Sequence, residues 1–215
     1  FQLDSLMWGI FYGGLLILAI YNLVLFFGVR EKSVIAYVGY IFAVILWQVV
    51  WGGHTHFIFI NGIPAWLVGH TELIFILIGI TSGLFTITFI ESEKHAPTLH
   101  PILQLMLISQ TIVGIACFAN LLPPMWKNNL VYGVGLVSIL SYVSAGFEAY
   151  FNKFKPARYF IFAWGLLATG AVIGMLSLLG VAPVNEFTTY CFQIGVFLES
   201  SLFSIALMEK SRGQL

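Results

Sequence analysis

Long apolar stretches separated by short polar turns run along the whole chain. A helix that crosses the hydrocarbon core of a bilayer needs about 20 apolar residues, at about 1.5 Å of rise each. Seven stretches reach that length, near 6–28, 34–52, 67–90, 101–122, 128–151, 157–180 and 188–208. The breaks between them are chemical. Arg30-Glu31-Lys32 closes the first, Asn61-Gly62-Ile63-Pro64 precedes the third, and the segment from Glu91 to Pro101 separates the third from the fourth. Pro123-Pro124 caps the fourth, Pro156 precedes the sixth, and Gly180-Val181-Ala182-Pro183 precedes the seventh. The pattern predicts an all-α fold: a polytopic membrane protein whose residues 1–215 form a single seven-transmembrane-helix bundle. Short loops make consecutive helices antiparallel neighbours. The connection over about 53–66 is longer, and apolar enough to lie on the membrane surface or fold over the mouth of the bundle.

Charge placement orients the bundle. The loops after the first, third and fifth spans and the C-terminal tail carry Arg30, Lys32, Lys94, Lys153, Lys155, Arg158, Lys210 and Arg212, while the other side carries only Lys127. Basic loops stay in the cytoplasm, so the N-terminus is expected outside and the C-terminus inside. Trp8, Trp51, Trp66 and Trp126 fall at the opposite ends and suit an interfacial aromatic belt. The first span starts within a few residues of Phe1 and the last stops a few residues before Leu215, so the chain reads as a fragment of a larger protein.

Composition narrows the function. Charged residues make up 8% and hydrophobic ones 60%, against about 25% charged in a soluble domain. The few basic residues are scattered, which excludes a nucleic-acid partner and leaves the lipid bilayer as the first one. Lys210 lies at a helix end, where a retinal cannot be buried, and His95 and His100 are in a loop rather than paired inside the membrane for haem. No glycine loop for phosphate and no nucleophile beside a base is present, so no catalytic residue and no cofactor is assigned. Cys117 and Cys191 lie toward outer helix ends, and two buried thiols is a simpler reading than a disulfide. His54, His56, His70 and Glu72 gather on the outer side as candidate site residues. They could bind a metal, which keeps a metal-dependent membrane enzyme as a third and weaker reading, but their spacing repeats no hydrolase signature such as HExxH and no metal is assigned to them.

The polar residues inside the spans are more informative. Glu199 lies about 15 Å from either end of the seventh span. A carboxylate at that depth costs at least about 2.5–3.5 kcal/mol, so it must face protein or water, or stay protonated. Gln193, Ser200 and Ser204 share one face of this helix, and Glu199 lies about 120° round from them. Polarity on two faces places the seventh span at the centre of the bundle. A coupling carboxylate and a purely structural interhelical hydrogen bond both remain open. Asn22 and Gln48 are the other deep amides, suited to bonds between helices. Glycines at 9 and 13, and at 170 and 174, have the spacing that lets helices approach closely. Glu148 and Arg158 flank the turn between the fifth and sixth spans, within reach of an ion pair.

Three segments carry a family resemblance. They are Phe11-Tyr12-Gly13 with Tyr21-Asn22, then Pro156-Ala157-Arg158-Tyr159-Phe160-Ile161-Phe162-Ala163-Trp164, then Gln193-Ile194-Gly195 with Glu199 and Ser204-Ile205-Ala206-Leu207. In this order they resemble the seven-transmembrane receptors with diverse intracellular signalling modules (7TMR-DISM), over essentially the whole chain. Asn22, Pro156, Arg158, Gln193, Gly195 and Glu199 match family-typical positions. The resemblance implies a multi-pass protein of the bacterial inner membrane with an extracytoplasmic sensory domain ahead of the first span. A cytoplasmic output module would follow the seventh: a histidine kinase, a diguanylate cyclase or a phosphatase. Homodimers are expected by implication from such modules. The domain itself would transduce rather than catalyse, with Glu199, Gln193, Ser200, Ser204, Asn22 and Arg158 as coupling candidates.

An alternative from another class is a small transporter with a 3+1+3 repeat. It is motivated by the likeness of Ser82-Gly83-Leu84-Phe85 through Glu91 to Ser200-Ser201-Leu202-Phe203 through Glu209, and by Gln104, Ser109 and Gln110 as candidates to line a path. Membrane helices draw on a small alphabet and produce such echoes by chance as well.

Overall fold

The computed structural model describes residues 2–55 and 70–212. They form α1 (Gln2–Val29), α2 (Lys32–Trp51), α3 (Thr71–Ile90), the one-turn α4 (Ser92–His95), α5 (His100–Phe118), α6 (Pro124–Phe151), α7 (Ala157–Leu178) and α8 (Glu186–Arg212). Seven of these, all but α4, are long and apolar enough to cross a membrane, and no strand occurs among the described residues. Most of the outer connection, with His56 and Trp66, and the expected start of the third span near residue 67 lie outside the described residues.

Helix ends follow local chemistry more than hydropathy. The fourth span stops at Phe118 rather than near 122, although Leu121 and Leu122 are apolar. Asn120 takes a left-handed conformation (φ 53°), which Asn tolerates better than most residues. The N–H of Leu121 then returns to the carbonyl of Ala116 and that of Asn120 to Cys117, which closes the helix as a Schellman motif. Gly53, Lys153 and Gly180 end α2, α6 and α7 with the same pairing. Pro124 occupies the first turn of α6, where its missing N–H costs nothing.

The helices follow one another around the bundle in chain order. Each spanning helix packs on the next, α8 returns to α1, and α3 also touches α6 from within the ring. α2 is the most enclosed span and α8 the next, while α1 and α5 are the least. On α1, Ile10, Ile17 and Val24 form an exposed apolar line one heptad apart, as a lipid-facing surface requires. Trp51 and Trp126 are exposed at the end opposite the basic loops, which we call the aromatic end. Trp8 instead stacks on Tyr12, with its ring 4.5 Å from that of His54.

Lipid tails are as apolar as the helices, so close packing and polar contacts hold such a bundle rather than water exclusion. In the half nearer the basic loops, Tyr37, Phe85, Phe89, Phe160 and Phe203 form one aromatic cluster, with Phe85 and Phe203 centroids 4.8 Å apart. Between α7 and α8 the backbones themselves touch. A Cβ on Gly170 would lie 2.5 Å from the Cys191 carbonyl oxygen, and one on Gly195 3.1 Å from that of Leu166. Gly9 and Gly13, which share the favourable spacing, face open space instead. Spacing therefore found one seam and not the other, because helix rotation decides which glycines meet a neighbour. Cys117 and Cys191 are both buried free thiols.

Candidate functional site

Glu199 stands at the centre of α8, with thirteen residues on either side of it up to Glu186 and Arg212. Its side chain is fully buried, and the Tyr40 hydroxyl of α2 donates to its two oxygens at 2.8 and 2.9 Å. Among the described residues no cation pairs with it. One turn earlier on α2, Tyr37 donates to the Ser200 carbonyl, which also accepts the Ser204 hydroxyl at 3.1 Å. Asn22 of α1 completes the set by donating to the Ser204 hydroxyl oxygen and to the Leu18 carbonyl, both at 2.8 Å. Asn22, Tyr37, Tyr40, Glu199, Ser200 and Ser204 are all buried. Three helices thus share one polar joint inside an apolar bundle, where each hydroxyl left unpaired would cost about 1–3 kcal/mol.

A second polar joint closes the same helix near its C-terminal end. The Lys210 ammonium is almost wholly buried, 2.7 Å from Glu31 before α2 and 3.4 Å from Glu91 after α3. It also donates to the Thr88 carbonyl at 3.0 Å and lies over the Phe89 ring. Ser33 donates to the same Glu31 oxygen that Lys210 contacts, and Ser211 donates to the other. Burial pushes the Glu91 carboxyl up, but the Lys94 hydrogen bond and the charges of Lys210 and Lys94 outweigh it and hold it below the usual carboxylate range. This joint borders a cavity of about 410 Å³ that reaches Lys94 and His100.

The other sequence candidates scatter. Gln193 does not join Ser200 and Ser204; it lies toward the aromatic end, with its side-chain carbonyl unpartnered. Arg158 lies 3.3 Å from Glu209 and bonds the Tyr159 hydroxyl. Both partners of that ion pair are exposed, so it contributes about 0–1 kcal/mol. The ion pair of Glu148 with Arg158 that the turn would allow does not form. Glu148 instead accepts the backbone N–H groups of Thr98 and Leu99, just before α5, at 3.0 and 3.1 Å.

On the aromatic side the histidines separate. His54 meets Tyr12 at 3.0 Å, while His70 lies 3.4 Å from Glu72, which is ion-paired with Lys127. Among the described residues no three His, Cys, Asp or Glu side chains come together to hold a metal ion. The α5 polar residues also diverge. Gln104 is exposed beside His100 and Ser109 bonds its own helix at Met106. Gln110 is buried, donating to Tyr142 at 3.3 Å over Gly79.

Tyr37, Tyr40, Glu31, Glu91 and Lys210 are not among the site candidates of the sequence. The available signal was two tyrosines three residues apart well inside a span, each with a hydroxyl that lipid cannot satisfy.

Seven apolar helices ringed in chain order, with polar joints between them, define a multi-pass membrane bundle. The family model described as "7TM diverse intracellular signalling" matches residues 4–210, so the chain belongs to that family of signalling seven-transmembrane domains. No curated protein and no solved structure matches it.

Proposed function

We propose that this chain is the signal-transducing domain of a bacterial receptor of the inner membrane, with its N-terminus outside the cytoplasm and its C-terminus inside. It relays an extracytoplasmic signal, taken up by a sensory domain, to a cytoplasmic kinase, cyclase or phosphatase in the full-length protein. The domain itself catalyses nothing and works as a homodimer. The observation that carries this reading is the attachment of α8. The helix that leads toward the output side is fixed to α1 and α2 at mid-span through Glu199, Ser200 and Ser204. Near its end it is fixed again to Glu31 and Glu91 through Lys210. Polar contacts in an apolar medium are made or broken rather than graded, which is the property a two-state element needs.

Two substitutions test it. Glu199→Gln and Glu199→Leu in the full-length receptor, compared at equal membrane expression, are expected to change output about fivefold or more, the factor that about 1 kcal/mol gives between two states. Wild-type output from Glu199→Leu would sink the proposal. The α5 polar residues that a transporter would need along one path have three different surroundings, which disfavours that alternative.

A further inference from the structure

The turn between α6 and α7 carries Lys153, Lys155 and Arg158, with no carboxylate from Asn152 to Tyr159. The turn before α2 differs, because Glu31 lies between Arg30 and Lys32. Lys153 and Lys155 are exposed, and among the described residues no carboxylate forms an ion pair with either. The backbone that carries them is tied down. The Asn152 amide donates to the His95 carbonyl at 2.9 Å, and Phe154 stacks on the His95 ring at 4.4 Å. Directly before this turn α6 presents an outward stripe. Leu140, Ser144, Phe147 and Phe151 follow at spacings of four, three and four residues, so they share one face. All four are exposed, and the Ser144 hydroxyl is satisfied by the Leu140 carbonyl at 2.7 Å. From Leu140 to Phe151 the stripe runs about 16 Å, about one leaflet of a hydrocarbon core about 30 Å thick.

An apolar stripe one leaflet long that ends on two unpaired cations is complementary to a phospholipid of net negative charge. A zwitterionic headgroup would bring a cation of its own beside the lysines. An acidic protein surface would pair with the lysines but would leave the stripe to neutral lipid. We infer that the end of α6 and the α6–α7 turn form a binding site for an anionic phospholipid. Its acyl chain lies along Leu140, Phe147 and Phe151, and its phosphate sits between the Lys153 and Lys155 ammonium groups. Arg158, already paired with Glu209, adds positive charge close by. Each lysine beside an anionic headgroup contributes about fivefold in affinity. The inference stands on charge and exposure at this turn and not on the signalling proposal.

The test is photolabelling of the full-length protein in phosphatidylcholine nanodiscs. The probes are phosphatidylglycerol and phosphatidylcholine with the same diazirine in the acyl chain, each added in trace amount, and labelled positions are mapped by peptide mass spectrometry. Phosphatidylglycerol is expected to label the segment from Leu140 to Lys155 about fivefold or more over phosphatidylcholine. The exposed stripe of α1 around Ile10 and Ile17 is expected to take both probes equally. Added salt narrows the preference by screening. Lys153→Gln with Lys155→Gln removes it, while Lys153→Arg with Lys155→Arg keeps it. Lys94→Gln, which alters an exposed lysine paired with Glu91 on another turn, leaves it unchanged. Equal labelling of the wild type by the two lipids would overturn the inference, as would a preference that survives the glutamine pair. Its loss in the arginine pair would trace the effect to the shape of the turn and overturn it too. Labelling of the segment by neither lipid would mean that an attached protein domain covers this face, again overturning it. Wild-type output from Glu199→Leu would leave every one of these readings unchanged, so the two proposals fail separately.

Discussion

Tyr40→Phe removes one oxygen from the bundle and leaves the ring in place. That oxygen supplies both hydrogen bonds to Glu199, at 2.8 and 2.9 Å, and the two side chains are buried. Hydrogen bonds to charged groups contribute about 1.5–3 kcal/mol in soluble proteins. Interhelical bonds in membranes average about 0.6 kcal/mol and reach about 1.7, because helices separated in lipid find other partners. The Tyr40 contact belongs at the upper end of the membrane range, since the carboxyl has no other donor among the described residues. Tyr40→Phe is therefore expected to destabilise the bundle by about 1.5 kcal/mol. Glu199→Leu alone strands the Tyr40 hydroxyl and costs a similar amount, while Tyr40→Phe with Glu199→Leu replaces both partners by apolar groups and should cost little more than either alone. Equilibrium unfolding of the four proteins in mixed micelles closes the cycle, with an expected coupling of about 1–1.5 kcal/mol. Additivity within about 0.3–0.5 kcal/mol would show that the two side chains are neighbours without being partners.

Gly170→Ala should destabilise by about 1–3 kcal/mol, because its new Cβ meets a backbone oxygen that no rotamer change can move; Gly9→Ala, with open space around it, should be neutral or slightly stabilising in the same thermal unfolding assay. Lys210→Met should cost about 3 kcal/mol by leaving Glu31 without its buried partner. Because the Glu91 carboxyl is held below its ordinary value of 4.5, its contribution is present above that pH and is lost as pH falls through the lowered value. Unfolding temperatures measured between neutral and acidic pH should show that loss in the wild type and a smaller one in Lys210→Met. Gln48→Leu should unfold no earlier than the wild type, since it replaces an unpaired buried amide by an apolar side chain of similar size.

Span number, span type and most boundaries were legible because crossing a bilayer imposes length and polarity on every helix separately. Helix rotation was not. In a soluble helix the polar face points to water, but here lipid-facing Ile17 and buried Leu15 are equally apolar, so amphipathicity carries little information. The sequence therefore marked Glu199 as a buried group in need of a partner without saying that Tyr40 would supply it. Lys210 shows the converse error. The sequence puts it in a C-terminal tail past the last span, whereas α8 extends through Arg212 and carries the ammonium between two carboxylates. For Glu148 the sequence offered water or the nearby Arg158 as partners, and the fold gives it two backbone N–H groups instead.

The contact between Gly170 and Gly195 limits how the final helix can move. With the Cys191 carbonyl filling the space beside Gly170 and the two glycine backbones against each other, α8 cannot roll about its own axis without colliding with α7. The two helices are geared together as a single blade. On the opposite edge of that blade, α8 meets α1 and α2 through the side-chain hydrogen bonds of Asn22, Tyr37 and Tyr40 and through the Lys210–Glu31 ion pair. The assembly therefore has one edge packed backbone to backbone and one held by polar side chains, and any displacement of α8 that preserves the Gly170–Gly195 contact would have to carry α7, and with it the Lys153 to Arg158 turn, along.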